Sequence, residues 1–127
     1  MARLLSTSTQ AMNSACAVVA NAATGATPYL ADYGNNCYAY PNGDIDELYK
    51  RTQQLAKDRN ERHSLGTNAY ETIRNTWNAR NAAEQIIRLS RMLTEDIGIP
   101  DPEDGPGSKA KVISVRKMFK AIINREL

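Results

Sequence analysis

The stretch from Cys16 to Asp44 reads CAVVANAATGATPYLADYGNNCYAYPNGD, and its order of short apolar runs decides the fold. Two runs, Cys16–Ala20 and Cys37–Tyr40, predict β-strands. The first is apolar throughout rather than alternating, which is typical of a strand covered on both faces in a parallel sheet. Between the runs, Thr27 and Pro28 predict a short helix with Thr27 as N-cap and Pro28 at the first helical position. Strands that alternate with helices indicate an α/β domain with a mostly parallel sheet.

The N-terminal residues add a third strand and a short helix to this prediction. Leu4-Leu5-Ser6-Thr7 predicts the strand, and Gln10–Ala15 predicts one or two helical turns. The interval between Thr7 and Cys16 is shorter than the dozen or so residues that a parallel crossover needs. We therefore expect a short parallel sheet of about three strands from which a connecting segment is missing.

Three amphipathic helices are predicted after the second apolar run. Asp44 supplies the cap of the first, and Asp46 and Glu47 lie in its first turn, where the helix dipole favours acids. The second is predicted over Glu61–Thr76 and the third from Asn78 to Met92 or Leu93. Their apolar stripes have helical spacing. The three stripes are Ile45, Leu48, Tyr49, Thr52 and Leu55; then Leu65, Ala69, Ile73 and Trp77; then Ala82, Ala83, Ile86, Ile87, Leu89 and Leu93.

A change of composition divides the chain into a predicted domain over 1–97, a linker over 98–110 and a basic amphipathic helix over 111–127. Residues 98–108 contain three prolines and three glycines and cannot continue a helix. The last helix combines an apolar stripe with a basic face. We expect it to pack against its own domain or a partner. Contact with an anionic membrane surface is the alternative.

Composition and charge exclude several classes of function. The 127 residues carry a formal net charge of +2, which is too small and too dispersed for a dedicated nucleic-acid binder. No apolar run approaches the ~20 residues of a membrane span, and the N-terminus is too polar for a signal peptide, so a cytoplasmic location is expected. Cys16 and Cys37 are expected to be two buried thiols rather than a disulfide. With His63 they are too few for a metal site.

Four ordered motifs resemble the C-terminal, nucleotide-sugar-binding domain of family 4 glycosyltransferases. Gln10–Ala20 is similar to the family pattern Glu-Ala-Met-x-x-Gly-x-x-Val-Val-Ala, and Gly25–Leu30 to Gly-x-x-Pro-Glu/Phe-Leu. Asp32–Tyr40 resembles Asp-Gly-x-Asn-Gly-x-x-x-Tyr/Val, and Pro41–Tyr49 resembles the Gly-Asp-x-x-x-Leu start of the next helix. Trp77 matches a family tryptophan that precedes the last helix. The resemblance covers about ninety residues and implies a GT-B architecture, here a partial Rossmann-like domain, and sugar transfer with retention of configuration.

The family's site residues carry over poorly. Its two glutamates, eight positions apart, contact the transferred sugar and the nucleotide ribose; Gln10 falls at the ribose position and Ala2 at the other. In a second alignment, Leu4–Ser8 is the strand before the glutamate loop, and the loop is deleted ahead of Gln10. Gln10 is therefore the one candidate substrate-binding residue, and we expect no catalytic residue, metal or cofactor. Its other interpretation is a solvated residue at a helix start.

Three functions stay open at this stage. The resemblance implies a fragment of a nucleotide-sugar-dependent transferase, inactive as an isolated chain. A non-catalytic interaction or oligomerisation module derived from the same fold is the alternative, and a nucleotide-binding domain without catalysis is the third. Because a small sheet leaves an unpaired edge, we also expect a homo-oligomer that covers this edge or an exposed apolar face.

Overall fold

The computed structural model describes residues 3–95, 98, 102–109 and 112–124, with side chains from Thr7 onward. Within these ranges the chain forms six helices and two strands and is mostly helical. In chain order these are α1 (Arg3–Asn13), β1 (Val19–Asn21), α2 (Thr27–Leu30), β2 (Tyr38–Tyr40), α3 (Ile45–Lys57), α4 (Arg59–Asn75), α5 (Ala79–Glu95) and α6 (Val115–Asn124).

The two strands form a parallel pair, as the sequence predicts. Val19 pairs with Tyr38 and Asn21 with Tyr40, and α2 lies between the strands in the chain. The described residues contain two strands rather than the expected three. The prediction of a strand over Leu4–Thr7 is wrong, because these residues belong to α1. Leu5, Ser8 and Met12 have the spacing of one helix face, and the burial of Met12 favours that continuous helix.

Helix α1 ends in a Schellman motif centred on Ala15. The Cys16 amide donates to the Ala11 carbonyl at 3.0 Å, and the Ala15 amide donates to the Met12 carbonyl at 3.0 Å. Ala15 has φ 55°, the left-handed conformation that this motif requires and that glycine usually supplies. Gly66 of α4 lies directly against this turn: a Cβ at Gly66 would stand 2.1 Å from the Ala15 carbonyl oxygen. The turn therefore fixes how closely α1 and α4 approach each other.

The helix caps agree with the sequence in one place and differ in another. Asp44 caps α3, where its carboxylate accepts a hydrogen bond from the Glu47 amide at 2.9 Å, as predicted. Helix α2 begins near Thr27 as expected, but its N-cap is Ala26, which makes no side-chain cap. Thr27 lies inside the helix and is buried. The Thr27 cap prediction is wrong because the helix begins one residue earlier than Pro28 alone indicates.

The core consists of three apolar clusters around the sheet. Met12 packs with Leu30, Ala69 and Ile73 between α1, α2 and α4, with Trp77 at its margin. The predicted α4 stripe of Leu65, Ala69 and Ile73 is thus buried. The other two clusters are Tyr38, Leu55 and Leu65 on one side, and Ala22, Ala39 and Ile122 on the other.

The two C-terminal helices differ in how much of their surface is buried. Helix α6 packs on β2 and α2, and its Ala121 and Ile122 are buried. Helix α5 has no buried residue, although its spacing predicted an apolar stripe. In the region predicted as a linker, Gly105 is buried beside Thr76, and Gly107 lies against Gln85 and Leu89 of α5. No helix in the described ranges is both long and apolar enough to cross a bilayer.

Candidate functional site

The carboxyl ends of β1 and β2 meet at one edge of the sheet. There the Ala22 amide donates to the Tyr40 carbonyl at 2.9 Å, which extends the ladder by one bond. The Asn21 side chain joins the end of β1 to the turn after β2 by donating from Nδ2 to Asn42 Oδ1 at 2.8 Å. Its Oδ1 accepts from the Ala23 amide at 2.8 Å. In open α/β sheets, ligands bind outside this edge, so it is the first candidate site.

The chemistry available at this edge is limited to neutral hydrogen bonding. Residues 21–25 read Asn-Ala-Ala-Thr-Gly, and residues 40–43 read Tyr-Pro-Asn-Gly. Neither segment contains a lysine, arginine, histidine or carboxylate. Such an edge can bind hydroxyl groups, but these two segments offer no cationic side chain to a diphosphate and no carboxylate or imidazole to a reaction.

Gln10, the substrate-binding residue predicted from the sequence, lies exposed in the last turns of α1. It precedes Met12, which is 2% exposed and anchors the helix in the core. Because Gln10 lies within the helix, the interpretation as a helix-start residue is wrong. Thr7, Ser8 and Thr9 also lie within α1.

A polar network that the sequence analysis missed lies where α3 and α4 meet β2. Arg51 of α3 places its guanidinium 4.8 Å from the ring centroid of Tyr38 and 5.5 Å from that of Tyr33. It also donates to Glu47 at 2.7 Å and to Gln54 at 3.1 Å. Only the i, i+4 spacing of Glu47 and Arg51 could have indicated it from the sequence.

The hydroxyl end of Tyr38 completes this network. Tyr38 donates to the Glu61 carboxylate, which also accepts from Gln54 at 2.6 Å. Burial and the hydrogen bond to Glu61 raise the pKa of Tyr38. Burial by itself would lower the pKa of Arg51, but the hydrogen bond to Glu47 raises it overall. Every member has partners within the chain, and the network joins β2, α3 and α4.

A cavity of about 300 Å³ lies between α2, the end of α4, the segment 103–109 and α6. Its walls include Tyr29, Asp32, Trp77, Glu103, Asp104 and Lys109. Neither Gln10 nor the strand-edge residues line it. Buried Asn36 forms part of its wall, but its amide nitrogen and oxygen both have partners within the chain. The nitrogen donates to Leu30 O and Thr72 Oγ1 at 2.9 Å, and the oxygen accepts from the Asp32 amide at 2.7 Å. Trp77 lines the cavity and also packs on the Met12 cluster, in agreement with its predicted role as a core anchor.

The remaining candidate residues lie apart from one another. His63 is exposed on α4, and Tyr70 of the same helix is 36% exposed. Cys16 and Cys37 are both free thiols, as expected, but Cys16 is exposed and only Cys37 is buried. Burial, reinforced by the charge of Asp32, raises the pKa of the Cys37 thiol to about 12. Cys37 is therefore a neutral core residue at physiological pH.

No protein-family model matches the chain, and no curated protein or solved structure is significantly similar to it.

Proposed function

We propose that this chain is the second half of the nucleotide-sugar-binding domain of a retaining, GT-B-type glycosyltransferase, with a partial Rossmann-like fold. The proposal starts from the four motifs between Gln10 and Tyr49. They fall in chain order on the end of α1, on β1, on α2, on β2 and on the start of α3. The parallel pairing of β1 and β2 is the arrangement that such a domain requires. Two unpaired thiols are in keeping with a protein of the reducing cytoplasm.

Ala15 carries the proposal. It is the one non-glycine residue with positive φ in the described ranges, and the family pattern has glycine at this position. A left-handed conformation costs an L-residue about 1–2 kcal/mol, so it persists only where the surroundings demand it. The Schellman hydrogen bonds and the close packing of Gly66 hold Ala15 in this conformation. Ala15 thus has a backbone conformation that glycine usually adopts, at the position where the family pattern has glycine. This agreement supports the alignment that places Gln10 at the ribose position.

The proposed role is donor binding without transfer. Gln10 would hydrogen-bond the nucleotide ribose, while the edge formed by Asn21 and Asn42 would bind hydroxyl groups of the donor. A carboxamide accepts a hydrogen bond less strongly than a carboxylate, so the affinity of this half-site is weak. The two edge segments contain no charged side chain for electrostatic catalysis, and we therefore propose that catalysis needs residues of a second domain.

The test is a titration of the isotope-labelled chain with UDP-, GDP- and ADP-sugars, followed by amide NMR. Donor binding is expected to shift the amides of Gln10, Asn21, Thr24 and Asn42 at millimolar ligand. Gln10→Glu restores the family carboxylate and is expected to tighten binding about five-fold, since a charge-assisted hydrogen bond adds about 1 kcal/mol. Gln53→Glu, on the exposed surface of α3, is the matched control for the added charge. Shifts that are absent for all three donors would exclude donor binding.

A second function, a protein-interaction or oligomerisation module, is favoured by one feature of α5. Three of its large apolar side chains are exposed: Ile86 by 65%, Ile87 by 54% and Leu93 by 87%. Singly exposed apolar residues are ordinary, but three in two turns of one helix form a face that favours association. This function does not depend on donor binding, and the two can be tested separately.

A further inference from the structure

The turn between β2 and α3 contains the single Asn-Gly pair of the sequence, Asn42–Gly43. A hydrogen bond from the Asp44 amide to the Pro41 carbonyl at 3.0 Å closes the turn, and Gly43 has φ 86°. Glycine adopts this left-handed conformation without strain, which is why Asn-Gly pairs favour turns. Asn42 and Gly43 are both exposed, so water reaches the side chain and the peptide group that follows it.

Two nitrogen atoms of this turn donate no hydrogen bond within the described part of the chain. The Gly43 amide has no acceptor there, because Asp44 donates the turn bond instead. The Asn42 carboxamide is held through Oδ1, which accepts from Asn21 Nδ2 at 2.8 Å, while its own Nδ2 donates to none of the described residues. The backbone nitrogen that follows an asparagine can attack the side-chain Cγ and displace Nδ2. Here both the attacking nitrogen and the leaving nitrogen are unengaged.

Little opposes the movement that brings the Gly43 nitrogen to Asn42 Cγ. The movement is a rotation about the Asn42 Cα–C bond, and it breaks one backbone hydrogen bond, that from Asp44 to Pro41. Gly43 has no side chain, and even a Cβ at this position would meet no atom within 4 Å. The Asn21 side chain already donates to the oxygen on which negative charge develops during the attack, as an oxyanion donor does.

The pair Asn13–Ser14 at the end of α1 is equally exposed but lacks this freedom. The Ser14 amide donates to the Gln10 and Ala11 carbonyls at 3.1 Å, so the attacking nitrogen is engaged. A rotation after Asn13 would also break the Schellman motif that ends the helix. This pair therefore provides an internal reference for the turn at Asn42.

We propose that Asn42 is a site of spontaneous deamidation, at which the Gly43 nitrogen displaces the side-chain nitrogen of Asn42. The bond from the Gly43 nitrogen to Cγ forms as the Cγ–Nδ2 bond breaks, the Gly43 amide proton passes through water to the leaving nitrogen, and ammonia departs. Water then opens the resulting succinimide at either carbonyl and supplies the hydroxyl of a new carboxyl group, which gives aspartate or isoaspartate.

The modification changes the chemistry of the sheet edge. The new carboxyl group is ionised at neutral pH, so the formal net charge falls from +2 to +1. The neutral edge formed by Asn21 and Asn42 gains a carboxylate, and the aspartate product still offers Asn21 an acceptor at the same position. The isoaspartate product instead adds a methylene group to the backbone between β2 and α3.

Incubation of the full chain at pH 8, followed over time by mass spectrometry of chymotryptic peptides with fragmentation, tests the proposal. The fragment containing Asn42 is expected to become one dalton heavier, because OH replaces NH2, and to separate into two products on chromatography. We expect this reaction to be at least about tenfold faster than at Asn13, where the bonds to Gln10 and Ala11 must break first. The rate should rise with pH, because the attacking nitrogen must lose its proton.

Two glycine variants separate the chemistry of the pair from strain in the turn. Gly43→Ala is expected to slow the reaction about tenfold, because a methyl group crowds the attacking nitrogen. Gly34→Ala, the matched control, places an alanine at φ 79° in another exposed turn and should leave the Asn42 rate unchanged. Circular dichroism checks that both variants fold.

The same incubation in urea gives the rate in the unfolded chain. If Asn42 keeps its mass in the folded chain while it deamidates in urea, the fold protects the turn and the proposal is overturned. A folded-state rate at Asn42 no faster than that at Asn13 would overturn it as well. Donor binding does not enter this test, which follows only the mass of the protein.

Discussion

Replacing Ala15 by glycine should make the protein more stable, although the same replacement inside a helix destabilises. Ala15 has φ 55°, and its side chain is exposed, so little packing is lost with the methyl group. Removing Cβ relieves about 1–2 kcal/mol of left-handed strain. The greater conformational freedom of glycine in the unfolded chain reduces this gain in stability by about 0.4–1 kcal/mol. The net gain is about 0.8 kcal/mol.

This gain is within reach of ordinary unfolding experiments. An unfolding entropy of about 2.1 cal/mol/K per residue gives about 0.27 kcal/mol/K for a chain of this length, so Tm should rise by about 3 °C. Urea unfolding followed by circular dichroism and by the fluorescence of Trp77, the single tryptophan, measures the change in free energy. Coincident transitions by the two probes would justify a two-state treatment.

A matched control decides whether the backbone conformation is the cause. Ala56 is an exposed alanine within α3, and Ala56→Gly should destabilise the protein by about 1 kcal/mol. Gly66→Ala provides a second check, because its new Cβ would lie 2.1 Å from the Ala15 carbonyl oxygen and force the backbones apart. We expect it to cost at least about 2 kcal/mol. If Ala15→Gly destabilises as much as Ala56→Gly, the left-handed turn does not exist and the support it gives to the alignment is lost.

Four further predictions concern the core, its polar network and the two thiols. Asn36→Ala should cost about 3 kcal/mol in urea unfolding, because it leaves the buried partners of a 1%-exposed amide without hydrogen bonds; a change below 1 kcal/mol would contradict this network. Arg51→Met should cost about 1–3 kcal/mol by removing two ring contacts and leaving half-buried Glu47 with only its longer, 3.8 Å ion pair to Lys50, and Arg51→Lys, which keeps the charge, should cost less. A disulfide reagent at pH 8 should modify Cys16 rapidly and Cys37 only on unfolding, and equal rates would refute the assigned burial. Because the folded pKa of Cys37 is about 12, above that of an unfolded thiol, the folded state holds the proton longer, and stability should fall between about pH 9 and 12 in thermal melts.

The sequence by itself determined the elements whose cause is local. Asp44 caps α3 because an aspartate oxygen can reach the amide three residues on, whatever the rest of the chain does. The spacing of Leu65, Ala69 and Ile73 fixes which face of α4 is buried. The continuous apolar run from Cys16 to Ala20 predicts a strand, and β1 begins within it and ends one residue beyond it. The prediction that this strand is covered on both faces is wrong, because all three residues of β1 are only half-buried in a sheet of two strands.

Only the tertiary structure decided the features that depend on distant residues. Leu4–Thr7 is equally compatible with a strand and a helix, and the burial of Met12 against α4 favours the helix. The left-handed Ala15 has only part of its cause nearby: its Schellman hydrogen bonds are local, but the close packing against the turn needs Gly66, fifty-one positions later. The Arg51 network likewise needs three elements to meet.

For the candidate site too, the sequence determines one part and the tertiary structure the other. The motifs around Gln10 identify a donor-domain resemblance from the sequence, whereas the neutral chemistry of the Asn21–Asn42 edge is visible only once β1 and β2 pair. For α5, the spacing predicted an apolar stripe, but tertiary packing decided which residues stay exposed, because the segment around Gly107 covers the opposite face. Periodicity specifies that a face is apolar, and long-range contacts determine whether the chain or a partner covers it.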